Sequence, residues 1–359
     1  MNQLFKWCEQ IKITEGYLRS CIYDLNRSEY ELVLKKCQYL VDQIERKNTK
    51  LIDSFFSKSD MEWVNFFLEK EYILSIPENL FDNFTCLGLD FEQPNYINNS
   101  VVYSTNNLDV IIPYIDQLGC KHLHIVCETE SELIIMMRRY FITTNFHSLE
   151  VSLLLFENNN EELLKICHEF PIISKIFVAN ENVKTRNTGG YFGNILRFKN
   201  KTDFTPTFVP RIETYLESQK HNLYFNKKLF IDKNGDIKNA KEVKSKSGNI
   251  KAVNLFDKLL SLVESKRFQK YWFSHKGITD VCKDCEFRHM CVDNRLPIER
   301  SENDWFHKTE CNYNPYIAKW EGEEGYQTLE ECGVISNENG FSIDHEKISK
   351  INAVLWGED

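Results

Sequence analysis

Cys282-Lys283-Asp284-Cys285-Glu286-Phe287-Arg288-His289-Met290-Cys291 is the stretch that organises this sequence, and Cys311 completes it as Cys-x2-Cys-x5-Cys-x19-Cys. Thiolates are soft ligands, and four of them this close in sequence suit either zinc or an iron–sulfur cluster. The x2 step sets two sulfurs on one tight turn, the x5 step brings Cys291 back, and Cys311 closes the site from further along. Structural zinc modules usually repeat the Cys-x2-Cys pair, so the x5 and x19 steps are less typical of zinc. A zinc site would instead recruit His307, four residues before Cys311. Phe287, Arg288 and His289 offer aromatic and cationic cover for sulfurs that carry negative charge.

The other eight cysteines, Cys8, Cys21, Cys37, Cys86, Cys120, Cys127, Cys167 and Cys332, have no ligand-like spacing. They read as small buried residues of a reducing compartment. The chain has 359 residues, 42% of them hydrophobic, enough for two or three domains with real cores. Acidic residues outnumber basic ones by 53 to 44, so no broad phosphate-clamping surface and no nucleic-acid partner is expected. No apolar run approaches the about 20 residues that span a bilayer, so no membrane partner is expected either. Met1 to Trp7 has no basic segment leading into an apolar one, and the expected localisation is cytoplasmic.

Working outward, residues 1–78 read as a small α+β unit. Alternation over Ile11 to Leu34 around Asn26-Arg27-Ser28 predicts a β-hairpin. Helical spacing follows at Tyr39, Leu40 and Ile44, then at Leu51, Ile52, Phe55 and Phe56, then at Trp63, Val64, Phe67 and Leu68. Asp60 is the expected cap of the last helix, and Pro77 closes the segment. A hairpin with three short helices is a winged-helix-like arrangement.

Residues 79–219 alternate strands and helices. Strands are predicted at 101–103, 122–127, 149–156 and 175–178, with helices at 108–118, 131–141 and 161–169, the second capped by Ser131. Such β-α-β units imply a parallel sheet, as a partial barrel or an open α/β sheet. Asn187 to Gly193 is glycine-rich but lacks the lysine of a phosphate loop, and reads as a turn. His122 and His124 share one strand face; no carboxylate near in sequence completes a metal site, so they read as a satisfied pair. Residues 220–359 carry the four clustered cysteines. Two strands about Asn234-Gly235, a helix over 254–268, and a helix near 326–332 ended by Gly333 are predicted there.

At Cys282, Cys285, Cys291 and Cys311 the sequence resembles the SPASM domain, the auxiliary-cluster module of radical S-adenosylmethionine peptide-modifying enzymes. That family places a further cysteine after an x3 step from its third, where Arg295 stands here, and another after Gly-x4, where Gly235 leads to Ala240. The resemblance therefore implies one [4Fe–4S] cluster on the four cysteines rather than two. The Cys-x3-Cys-x2-Cys triplet of the radical chemistry does not occur in the sequence. The implied fold is α/β: a degenerate, partial radical-SAM-like β/α barrel, an N-terminal winged-helix-like unit and a C-terminal SPASM domain. No S-adenosylmethionine is expected, and whether the chain is an enzyme is left open.

With Cys311-Asn312-Tyr313-Asn314-Pro315-Tyr316 and Trp320-Glu321-Gly322-Glu323-Glu324-Gly325-Tyr326, the layout is most similar to grasp-with-SPASM maturases. These are encoded beside ATP-grasp ligases that modify ribosomal peptides. The resemblance implies a precursor peptide and an ATP-grasp ligase as partners. The winged-helix analogy would have the peptide leader gripped as an added strand by Tyr30, Glu31, Leu32, Val33 and Leu34, with Trp63 and Phe67 on the facing helix. Two other functions compete: a metal-dependent oxidative enzyme acting on the peptide, and a zinc-stapled peptide-binding scaffold.

Overall fold

A computed structural model of the chain describes residues 3–47, 49, 55–84, 88, 90–104, 107–142, 144–155, 160–178, 194–197 and 208–357. It divides into two compact units, each discontinuous in sequence. The first comprises Met1–Phe91, Pro206–Leu223 and Ser274–Asp359, and the second Glu92–Thr205 and Tyr224–Phe273. These boundaries differ from the three consecutive segments read from the sequence.

The first unit opens with β1 (Gln3–Trp7), β2 (Ile11–Glu15), β3 (Ser20–Asp24) and β4 (Glu29–Val33). Strands β2, β3 and β4 form an antiparallel sheet in that order. The β3–β4 turn is tied by Asp24, whose carboxylate accepts from the backbone N–H groups of Asn26 and Arg27 at 3.1 and 2.9 Å. Helices α1 (Lys36–Ile44) and α2 (Lys58–Glu69) and strand β5 (Ile73–Pro77) follow, and β5 pairs antiparallel with β1. Phe5, Ile22, Val33, Leu40, Ile44, Val64, Phe67 and Ile73 make one buried cluster. Ser57, not Asp60, caps α2: its hydroxyl accepts from the Asp60 N–H and donates to the Asp60 carboxylate. Leu51, Ile52 and Cys86 lie outside the described residues.

In the second unit β6 (Asn99–Tyr103), α3 (Leu108–Gln117), β7 (His122–Cys127), α4 (Glu130–Tyr140), β8 (Ser148–Leu153), α5 (Asn160–Glu169), β9 (Ile173–Val178) and β10 (Asn194–Arg197) alternate as expected. After α6 (Ile212–Ser218), which belongs to the first unit, come β11 (Lys228–Ile231), β12 (Asp236–Lys238), β13 (Gly248–Asn249) and α7 (Phe256–Val263). Among the described residues they form one open sheet, ordered β10-β9-β8-β7-β6-β11-β12-β13. The pairings from β10 through β11 are parallel and the last two antiparallel. Alternate residues such as Val102, Leu123, Ile125, Leu149 and Val151 share a core with Ile111, Leu133, Met137, Leu163 and Leu259 of the helices.

Thr129, rather than Ser131, caps α4. The hairpin at Asn234-Gly235 forms, with Gly235 at φ +79°. The helix predicted over 254–268 is shorter, ending at Val263. The glycine-rich 187–193 stretch lies outside the described residues.

The chain closes, again in the first unit, with β14 (Pro297–Ser301), β15 (Asp304–His307), β16 (Tyr313–Asn314), β17 (Lys319–Trp320), α8 (Leu329–Cys332), β18 (Val334–Asn337), β19 (Gly340–Ile343) and α9 (His345–Trp356). Among the described residues the strands pair as two-stranded ribbons, with Trp305 of β15 also bridged to Thr279; such ribbons are marginal without further support. Thr328 and Glu331 form a reciprocal cap on α8, and Gly333 ends it as expected. Among the described residues no helix is long and apolar enough to cross a membrane.

Ile125 has no exposed surface at the centre of the parallel sheet. Ile125→Ala is expected to cost about 2–5 kcal/mol of stability, read as a lowered urea midpoint with unchanged slope.

Candidate metal centre

The first thiol sits on a strained turn. Val281 adopts φ +65° and ψ −49°, and the Cys282 N–H donates to the Asp280 carbonyl at 2.7 Å. This is a γ-turn of the costly positive-φ kind, rare for a β-branched residue. Asp280 holds it: its carboxylate accepts from Arg300 at 2.6 Å, Lys283 at 3.0 Å and Ser336 at 3.0 Å. A single 3-10 turn over Cys282–Asp284 then leads to Cys285, whose sulfur accepts from the Phe287 N–H at 3.4 Å.

The four thiols lie within electrostatic reach of one another. Burial pushes the Cys291 thiol up to about 12, with Asp293, Cys282 and Cys311 adding to the effect and Lys276 opposing it. Burial also raises Cys285, helped by Glu286, Cys291 and Cys282. Cys311 is raised by burial and opposed chiefly by Arg295, with Cys282 adding to the rise. Burial thus favours the protonated thiol at Cys285, Cys291 and Cys311, and a bound cation would displace those protons.

A built cationic group stands on the Cys282 side. Lys276, nearly buried, donates to the Asp293 carboxylate at 2.5 Å and to His307 Nε2 at 3.2 Å. Arg295 grips the same carboxylate through Nη2 and Nε, at 2.7 and 3.0 Å, and donates to the Thr309 carbonyl at 2.9 Å. Its Nη2 also lies 3.8 Å from Cys282 Sγ, within hydrogen-bonding reach of sulfur. Arg295, standing where the SPASM family has a cysteine, is therefore an ion-pair residue beside the thiols. Burial opposes the charges of both groups; Cys282 and then Asp293 hold Lys276 charged against Arg295, while Lys276 and Arg295 hold the Asp293 carboxyl far below the usual range.

On the other side the loop is clamped to the N-terminal sheet. Glu286 has no exposed surface. Arg19 Nε donates to its Oε1 at 2.6 Å, Tyr313 donates to the same oxygen at 2.5 Å, and Arg19 Nη2 donates to the Tyr313 hydroxyl at 3.1 Å. Tyr23 donates to the Glu286 carbonyl at 2.5 Å, the Tyr17 N–H to the Asp284 carbonyl at 2.7 Å, and Arg288 to the Glu15 carbonyl at 2.5 Å. The approach leaves no room for a side chain at Gly16, where a Cβ would come within 2.8 Å of Glu286 Oε2. Tyr30 of β4 meets Phe287 edge-on at 5.9 Å, and Phe287 in turn stacks on Phe208 at 4.7 Å and packs against Tyr313 at 5.1 Å. Cys285 and Cys311 pack against this aromatic cluster.

Donor chemistry and spacing bear on which metal fits. A tetrahedral zinc thiolate with Zn–S bonds of 2.3 Å brings its sulfurs about 3.8 Å apart. Four thiolate donors suit zinc and an iron–sulfur cluster alike. Cys282, Asp293 and His307 do meet within 4.8 Å. Lys276 already lies on both Asp293 and His307, however, and His307 Nδ1 lies 3.4 Å from the Leu296 carbonyl. A zinc ion recruiting His307 would have to displace the ammonium.

The sequence-predicted peptide residues divide by burial. Tyr30 and Glu31 are half-buried, Leu32 and Leu34 exposed, and Val33 buried. Glu31 pairs with Lys70 at the end of α2. Trp63 is half-buried against Phe66, while Phe67 lies wholly in the core, edge-on to Trp7 at 5.5 Å. His122 and His124 bond Ser148 and Ser152, each at 2.8 Å. His124 also finds a carboxylate, Glu150 of β8 at 3.6 Å, which sequence proximity did not show.

No family model matches this chain, and neither does any curated protein. Two solved structures are similar at a low level. The crystal structure of Streptococcus suis SuiB is 10% identical with a TM-score of 0.29, over 80% of this chain and 94% of that one. SuiB bound to S-adenosylmethionine is 11% identical with the same TM-score, over 80% and 95%. A likeness of that size carries no argument about this chain.

Two predictions follow from the packing. Arg19→Met strands a buried carboxylate and is expected to cost about 3–5 kcal/mol, whereas Arg19→Met with Glu286→Gln recovers part of the loss in urea unfolding. Burial, then Arg288, draws His289 down to about 3, and burial, then Lys276, does the same to His307. Below about pH 6.5 the unfolded chain takes up protons these rings refuse, so they should lower stability progressively as pH falls towards 3. Urea titrations at pH 7 and pH 5 check this, with His289→Gln flattening part of the slope.

Proposed function

We propose that this chain is a maturation protein for a ribosomally synthesised, post-translationally modified peptide. It carries one [4Fe–4S] cluster on Cys282, Cys285, Cys291 and Cys311, works in the cytoplasm, and serves an ATP-grasp ligase partner. The carrying observation is that Cys285 and Cys291, on one loop with Cys282, and Cys311 beyond the β14–β15 ribbon come within electrostatic reach of Cys282, beside Lys276 and Arg295, with the loop braced against the N-terminal sheet. The residues fit the cluster: soft donors in the number it needs, beside cations suited to an anionic group. When bound, such a cluster supplies a cross-link and one-electron transfer.

On this reading the open sheet of the second unit is a degenerate radical-SAM-like barrel, and the N-terminal unit is winged-helix-like. In the same reading four protein ligands leave the cluster no open position for S-adenosylmethionine, and the chain acts as an adaptor rather than as a radical catalyst. β4 is an edge strand of its sheet among the described residues. An extended leader peptide would add there by backbone pairing, with Leu32 and Leu34 offering apolar contact and Tyr30 linking the strand to Phe287. Phe67 supports that surface from the core.

Anaerobic purification with iron, sulfide and zinc analysis tests the reading. About four irons and four sulfides per chain, with the broad visible absorption lost in Cys285→Ala, is the expected result. Stoichiometric zinc without sulfide would replace the cluster by a zinc-stapled scaffold.

A further inference from the structure

We propose that Lys276 and Arg295, bridged by Asp293, are the built-in counter-charge of the four-thiol centre, setting how tightly it holds its metal and at what potential it accepts an electron. The proposal rests on reading the centre as metal-bound. The geometry that carries it is specific. The Lys276 side chain is 6% exposed and that of Arg295 19%, and a single carboxylate, 11% exposed, answers both. The pair therefore leaves one net positive charge beside the sulfurs, and the Arg295 fork directs an N–H at Cys282 Sγ itself.

Neither cation is there to stabilise the fold at least cost. Isolated buried charges are expensive, and an ion pair in the interior usually gains nothing over packed apolar side chains. Two cations on one carboxylate make sense when a further anion belongs in the same place. Four thiolates around an iron–sulfur cluster or around zinc are such an anion, more negative still after reduction of the cluster. The attraction persists over this range because the groups are shielded from water. Lys276 bears on Cys282 and Cys291, and Arg295 on Cys282 and Cys311, so the charge reaches three of the four sulfurs.

The sign of the effect separates this role from simple scaffolding. Reduction adds negative charge, so Arg295→Gln and Lys276→Met should each move the midpoint potential to more negative values and speed metal loss to a chelator by about tenfold or more. Asp293→Asn removes the opposing charge at nearly constant shape and should move both readouts the other way. Arg295→Lys keeps the charge and should leave the potential near the wild type. Spectroelectrochemistry and chelator competition on the full-length, anaerobically purified protein measure these.

Opposite shifts from the cation and carboxylate variants, with rescue by Arg295→Lys, would support the proposal. Shifts of one sign throughout, or none, would overturn it. If Asp293→Asn does not fold, the contrast between Arg295→Gln and Arg295→Lys decides alone. If the wild type carries zinc, chelator competition still reads the same signs. A wild type that binds no metal sinks the underlying reading instead, and that is evident before any variant is made.

Discussion

A carboxylate with no exposed surface needs its partner, and Glu286 finds it in Arg19, far away in sequence. That pair, with Tyr313 on the same oxygen, fixes the loop between Cys285 and Cys291 against the turn joining β2 and β3. The C-terminal ribbons have two strands each among the described residues. Their order comes from a cluster of their own around Tyr316, Val334 and Ile348, from such buried polar anchors, from Asp280 under the strained Val281 turn, and from the aromatic cluster around Phe287. Cys282, Cys285 and Cys291 are thus presented by a loop held on both sides, with cations at one flank and the N-terminal sheet at the other.

This arrangement makes the cysteine-bearing loop and the N-terminal strands parts of one compact unit rather than separate modules. Tyr23 and Glu15 both bond the cysteine-bearing loop, and Tyr30 touches Phe287.

The second unit was largely legible in the sequence because its signals are local. Alternating runs such as His122 to Cys127 and helical spacing such as Leu108 to Leu118 each carry their own period. What sequence hid was non-local. β1 pairs with β5 across most of the N-terminal unit, and β11 returns to pair beside β6, so neither neighbour is visible from spacing. Helix starts also shifted: Ser57 and Thr129 take caps assigned to Asp60 and Ser131, because any of several small polar residues can play that part. The cysteines announced themselves by spacing, since few chemistries need four thiols so close together. Lys276, Asp293, Arg19 and Glu286 did not, because a charged residue reads as surface until the fold shows it buried. Only Arg295 had a signal, as the residue standing where the resembling family has a ligand.

The most direct measurement is anomalous X-ray diffraction at the iron and zinc edges from crystals of the anaerobically purified protein. The account predicts iron signal within bonding distance of Cys282, Cys285, Cys291 and Cys311, with Arg295 beside Cys282. Metal bound away from these four sulfurs, or a single zinc held through His307, would contradict it.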